Sequence, residues 1–123
     1  MESAAYRRIA RETIRALPPK LREQMRDVVL VIEDRPQRGR RRNLLGLYEG
    51  VPLTEWGKGN AVIELPDQIT LFTKTIEDVA QTEREIPHIV RETLWHEIAH
   101  HFGFDHDAMH DMEERWRAKR GGQ

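Results

Sequence analysis

A chain of 123 residues is the length of one domain with a modest core, and residues 1–123 are expected to form a single unit. Hydrophobic residues make up 38% and charged residues 33% of it, and no run approaches the roughly 18 apolar residues of a membrane span, so a membrane protein is excluded. There is no cysteine, which excludes disulfides and thiolate ligands, so any metal must be held by imidazole and carboxylate. The net charge of −1 hides an asymmetry: residues 1–42 carry +6 and residues 43–123 carry −7. Arg7, Arg8, Arg11 and Arg15 interrupt the start of the chain and leave no apolar signal segment, so a cytoplasmic address is expected.

Tyr6, Ile9, Ala10, Thr13, Ile14 and Leu17 recur at helical spacing and predict an amphipathic helix over 3–17. Ser3 is its expected N-cap, and Pro18-Pro19 stops it. Pro19 then opens a second helix running to about Arg26. Apolar stripes of this kind are ordinarily core, so both helices read as scaffold. Val28 to Ile32 is a continuous apolar run rich in β-branched residues, which predicts a strand covered on both faces. Residues 35–43 form a basic loop in which Arg35, Arg38, Arg40, Arg41 and Arg42 meet no acidic neighbour. Pro36 and Gly39 argue against a regular element there. Such a block is ordinarily a solvated loop, and its functional alternative is a grip on nucleic-acid phosphates.

Asn43 to Gly59 reads as irregular because Gly46, Gly50, Pro52, Gly57 and Gly59 break it up, and it carries Tyr48, Glu49 and Trp56. Long loops in small domains are often functional. Residues 61–65 and 68–73 read as two short strands separated by Pro66-Asp67. In the second, Ile69, Leu71 and Thr73 share one face and Thr70 and Phe72 the other.

Thr82 with Glu85 suits a capping box, and Pro87 suits the first turn of a helix, so a helix over Ile86–Phe102 is expected. Its core face is Leu94, Trp95, Ile98 and Phe102, and Ile89, Thr93, His96 and His100 share another. Within it stands H-E-x-x-H-x-x-G-x-x-H, from His96 to His106. At about 100° per residue, His96 and His100 lie one turn apart on one face and can reach one metal ion. Glu97 sits beside them, placed to take a proton without being a ligand. His101 points about 100° away from His100 and reads as structural. Gly103 can adopt the left-handed conformation that ends the helix and turns the chain back. The turn can deliver His106 as a third ligand, with Asp105 or Asp107 as the alternatives beside it. Three protein ligands and an open position describe a catalytic zinc site, with one Zn2+ per chain. In a chain of this composition the extended pattern arises by chance roughly once in 10,000. Residues 107–119 read as a short terminal helix, and residues 117–123 as a polar tail.

The motif resembles that of the zincin metallopeptidases, in the form found in the metzincin branch. The chain is more closely similar to the small bacterial minimal zincins, which carry His or Asp as third ligand. That likeness extends to Val28–Asp34, Leu45–Thr54 and Leu65–Leu71. It implies an α+β minimal zincin-like fold, with a small mixed sheet packed against an N-terminal helix and the metal-bearing helix. It also implies that a late strand, placed at Ile69–Phe72, lines the cleft and pairs with an extended peptide. A metzincin-type methionine turn would fall to Met109 or Met112.

The expected activity is therefore zinc-dependent hydrolysis of peptide bonds in a peptide or protein substrate, with Glu97 as general base and then acid. Thr93 is expected beside the cleft, and Tyr48 and His110 are candidate oxyanion donors by residue type. Two other readings compete. His96, His100, Gly103, Phe104, Asp105 and His106 also resemble the motif of bacterial rRNA-maturation endoribonucleases, for which the arginine loop would suit a phosphate backbone. That family has glycine where this chain has Glu97. The third reading is a metal-binding interaction module without turnover.

Overall fold

The computed structural model describes residues 1–39, 41, 43–50, 66–103, 111 and 114. Three short strands set the frame: β1 (Val29–Glu33), β2 (Gly46–Glu49) and β3 (Gln68–Phe72). They lie in the order β1-β3-β2, with β1 parallel and β2 antiparallel to β3. Parallel neighbours need a long crossover between them. Here the chain between β1 and β3 also supplies β2.

The expectation that Ile69–Phe72 lines the cleft and pairs with an extended peptide is overturned, because β3 is the central strand. Ile69 sits between Leu30 of β1 and Tyr48 of β2, and Ile69, Thr70, Leu71 and Phe72 are all buried. The strand next to the motif-bearing helix is β2. The expectation for Val28–Ile32 also fails in part, because the strand runs Val29–Glu33 at the other edge of the sheet and is half-buried. Its apolar run reflects one covered face and a partly open edge, with Val29 43% exposed. The expected strand at residues 61–65 lies outside the described residues, as does most of the expected 107–119 helix and all of the tail.

Helix α1 (Ser3–Arg15) buries Tyr6, Ile9, Ala10 and Thr13, the stripe that its spacing predicts. Glu2 rather than Ser3 occupies the cap position, without a side-chain capping bond. Helix α2 (Pro19–Gln24) starts at its proline and is two residues shorter than expected. Helix α3 (Thr73–Val79) follows β3 without a break. It was not legible because Thr73, Thr75 and Ile76 favour strand locally; here all three are buried. A 3-10 turn (Glu83–Glu85) then leads into α4 (Ile86–His101).

Helix α4 packs against α1, α3 and β2. The core is built from Tyr6 and Leu17, from Ile69 and Leu71 of the central strand, and from Val90, Leu94 and Ile98 of α4, each almost fully buried. Burying an aliphatic side chain of this size contributes about 1.5–3 kcal/mol. This is the expected α+β fold: a small mixed sheet held against an N-terminal helix and the motif-bearing helix.

Candidate active site

The start of α4 is set by a carboxylate that reaches backwards. Glu85 Oε2 accepts from Gln81 N–H at 2.7 Å, while Thr82 makes no capping bond, so only one arm of the expected capping box exists, displaced by one residue. Pro87 lies in the first turn, where its missing N–H costs nothing. At the other end the helix stops where glycine predicts. Phe102 N–H still reaches Ile98 O at 3.1 Å, and Gly103, with φ of +79°, donates to His100 O at 3.2 Å. The left-handed cap is therefore in place at Gly103, and the residues that follow it in sequence, His106 among them, lie outside the described residues.

Between those ends, Leu94, Trp95 and Ile98 face the core and are buried, whereas His96 and His100 are exposed. Ile89, Thr93, His96, Glu97 and His100 line one cleft of about 560 Å3, whose other wall includes Leu45 and Gly46. The two imidazoles expected to share a face thus open into the same space, and Glu97 opens there with them. Thr93 lies beside the cleft as expected, 8% exposed.

Strand β2 supplies the contact that the sequence did not reveal. Phe72 N–H donates to Leu45 O at 2.9 Å and Leu47 pairs with Thr70, so the antiparallel alternation turns Gly46 and Tyr48 away from β3. Tyr48 N–H, thereby freed, donates to Glu97 Oε1 at 3.1 Å. One oxygen of the carboxylate is thus pinned to the strand. The strand approaches this closely because residue 46 is glycine. A β-carbon there would lie 2.7 Å from Thr93 Cγ2 and 3.0 Å from Thr70 O. The only sequence signal for this was Gly46 itself, which reads locally as a breaker.

Behind β2 a clasp of side chains ties the strand to the end of α4. The Tyr48 ring stacks on His101 with centroids 3.9 Å apart and planes at 26°. Tyr48 Oη donates to Asp67 Oδ2 at 2.9 Å, and His101 Nε2 lies 3.6 Å from the same oxygen. Phe102 meets both rings edge-on. Burial, and then the Asp67 carboxylate, push the Tyr48 hydroxyl above its ordinary pKa and keep it protonated. Its hydroxyl is therefore committed to Asp67, and its side chain is absent from the cleft lining, which removes Tyr48 as an oxyanion donor. His101 has the structural role expected of it. His110, the other candidate, lies outside the described residues, as do Met109 and Met112.

Of the basic loop, Arg35 is engaged with Asp78 at 2.7 Å, Arg38 is exposed, and Arg41 lines the cleft. Arg40 and Arg42 lie outside the described residues. Among the described residues no group of three or more His, Cys, Asp or Glu is assembled for a metal. Two imidazoles on one cleft face, with no thiolate in the chain, fit zinc as a donor pair, and the expected third donor follows the Gly103 turn.

A family model described as zincin-like metallopeptidase matches residues 25–116. The chain belongs to that family. The match takes in the sheet, the cleft and the whole of α4, and it assigns a metal-dependent, peptidase-like character to this zincin-like chain in general terms. Among solved structures, a conserved hypothetical protein from Thermo thermophilus is similar, with a TM-score of 0.60 over 83% of this chain and 94% of that one. At 22% identity that likeness concerns the fold. No curated protein matches the chain. Among the described residues of this zincin-like chain, no helix is long and apolar enough to cross a membrane.

Proposed function

We propose that this protein is a zinc-dependent peptidase in which Glu97 transfers the proton. The observation that carries the reading is the placement of Glu97: its carboxylate opens into the cleft with His96 and His100, while Tyr48 N–H holds one oxygen at 3.1 Å. A carboxylate fixed in this way is oriented before substrate arrives, and it is kept from swinging onto the metal as a ligand.

His96, His100 and His106 would hold the zinc, which when bound would lower the pKa of a water from about 15.7 towards 7 and polarise the scissile carbonyl. Glu97, at the oxygen not bonded to Tyr48, would take the proton of the attacking water and return it to the leaving amine. The substrate's backbone lies along the cleft wall at Leu45 and Gly46, where the backbone groups of Gly46 face away from β3. Arg41 and Asn43 at one end of the cleft, and His88 and Glu92 along α4, give it a polar lining that an extended peptide can satisfy.

The test is turnover of a peptide library and of structured RNA by the unmodified protein and by Glu97→Gln, each with zinc and with chelator. General base catalysis contributes roughly 100- to 10,000-fold, so Glu97→Gln is expected to lose that factor in peptide hydrolysis with zinc content unchanged. RNA cleavage that survives the substitution would instead mark the enzyme as a nuclease. Absence of any turnover by the unmodified protein would mark it as a non-catalytic metal-binding module.

A further inference from the structure

The opposite edge of the sheet carries a second recess, about 440 Å3, between α1 and β1. Its rim bears Arg7, Arg11, Arg15 and Arg26, its floor includes Met25 and Leu30, and no carboxylate lines it. Arg26 is balanced by Glu23 at 3.0 Å, and Arg7 Nη1 donates to Leu30 O at 3.2 Å. Arg11 and Arg15, both exposed, have no ion pair among the described residues. Beside them runs a strand edge. Val29 N–H donates to Asp67 O at 2.9 Å, so Val29, Val31 and Glu33 bond towards β3 and the intervening Leu30 and Ile32 face outward. The bond from Arg7 to Leu30 O agrees with that direction. It leaves both N–H groups and the Ile32 carbonyl without a strand partner among the described residues.

We infer that this recess is a docking surface for an extended, acidic peptide segment, which adds to β1 as a further strand and places its carboxylates on Arg11 and Arg15. Three features favour that occupant. Outward N–H and C=O groups on an edge strand are what an added strand bonds to. An extended segment alternates its side chains, so acidic residues at every second position face the arginines while the others turn to the opposite face of the sheet. The pitch also suits, since residues four apart on α1 are separated by about 6 Å along the helix and alternate residues of a strand by about 6.6 Å. A nucleic-acid backbone would use the arginines but leave the strand edge idle. The recess lies across the central strand from the cleft, so the inference is independent of the peptidase reading.

The test is binding of a labelled, capped peptide of about eight residues alternating glutamate and valine, by fluorescence anisotropy, with amide hydrogen exchange read at Leu30 and Ile32. Tight binding that weakens with salt, protection of both amides, and at least a roughly tenfold loss in Arg11→Glu with Arg15→Glu are expected. The same peptide N-methylated at alternate residues keeps its charge and should lose binding, which tests the strand pairing without altering the protein. Binding that tolerates the arginine substitutions or N-methylation overturns the inference. So does tighter binding of a single-stranded oligonucleotide of equal charge, or a free protein that is already a dimer with Leu30 and Ile32 protected. Failure to bind the peptide at all overturns it as well.

Discussion

The sheet has two flanks, and they are finished in different ways. At β2 an outward group is taken up by α4: Tyr48 N–H is bonded to Glu97, Gly46 lies against Thr93, and Tyr48, Asp67 and His101 clasp the strand to the helix end. At β1 only one outward group, Leu30 O, is covered among the described residues, by an arginine from α1, and the strand stays half-exposed. An unpaired edge is a hazard in any sheet, and charge or a packed helix are both ways of blunting it. Using a helix brings the Glu97 carboxylate to a backbone donor at the cleft. Using arginines leaves the edge open to a partner of opposite charge. Structural closure and the cleft therefore coincide at β2 and separate at β1.

The largest effect should come from forcing the closed flank apart. Gly46→Val would drive a side chain into Thr93 and the Thr70 carbonyl, both within 3.0 Å of the new β-carbon, at a cost of about 3 kcal/mol. Denaturant unfolding should show that loss, and peptide turnover should fall with it, because Tyr48 N–H moves off Glu97. Wild-type stability and turnover in that variant would mean that β2 does not hold the carboxylate. The open flank should tolerate a change of side chain far better. Val29→Thr, at a residue 43% exposed, should stay within about 0.5 kcal/mol of wild type in the same unfolding measurement.

Loosening the clasp is a smaller change than splitting the closed flank. His101→Ala removes the stacked ring from Tyr48 and the partner of Asp67 while leaving the cleft lining intact. A loss of about 1 kcal/mol is expected, with faster amide exchange across Gly46–Glu49 and no change across Val29–Glu33. Equal loosening of both strands would show that the sheet behaves as one unit and that the contrast between its flanks has no energetic meaning.

The smallest effect concerns alkaline pH. Burial and Asp67 hold the Tyr48 hydroxyl above its ordinary value, and burial and Glu77 do the same for Tyr6. A raised folded pKa contributes stability that is fully present below the unfolded value, near 10, and is lost as pH rises through the folded value. Stability should accordingly decline above about pH 10, and Tyr48→Phe should make that decline shallower. An unchanged slope would place the Tyr48 hydroxyl in solvent.

Much of the closed flank was legible in the sequence and little of its pairing was. The span of α4, its two cleft imidazoles, its core face of Leu94, Trp95 and Ile98, and its end at Gly103 all follow from helical period and glycine chemistry, which are local rules. Strand order is not local. Ile69–Phe72 and Val28–Ile32 both read as apolar strands, and only their pairing shows that the first is central and the second lies at a flank. Tyr48 was visible as an aromatic in a glycine-rich stretch. That its backbone, and not its hydroxyl, meets the active site depends on the register with β3, which no spacing within 43–59 encodes. Helix α3 was hidden by β-branched residues that tertiary burial overrides.

If Glu97 is the proton carrier, it must serve a metal that it does not bind. Crystals grown with zinc and measured on both sides of the zinc absorption edge would locate the ion directly. One anomalous peak per chain is expected, within about 2.0–2.1 Å of a nitrogen of His96, of His100 and of His106, with Glu97 still accepting from Tyr48 N–H. No peak between His96 and His100, or a peak with Glu97 swung onto the metal and away from Tyr48, would contradict that role.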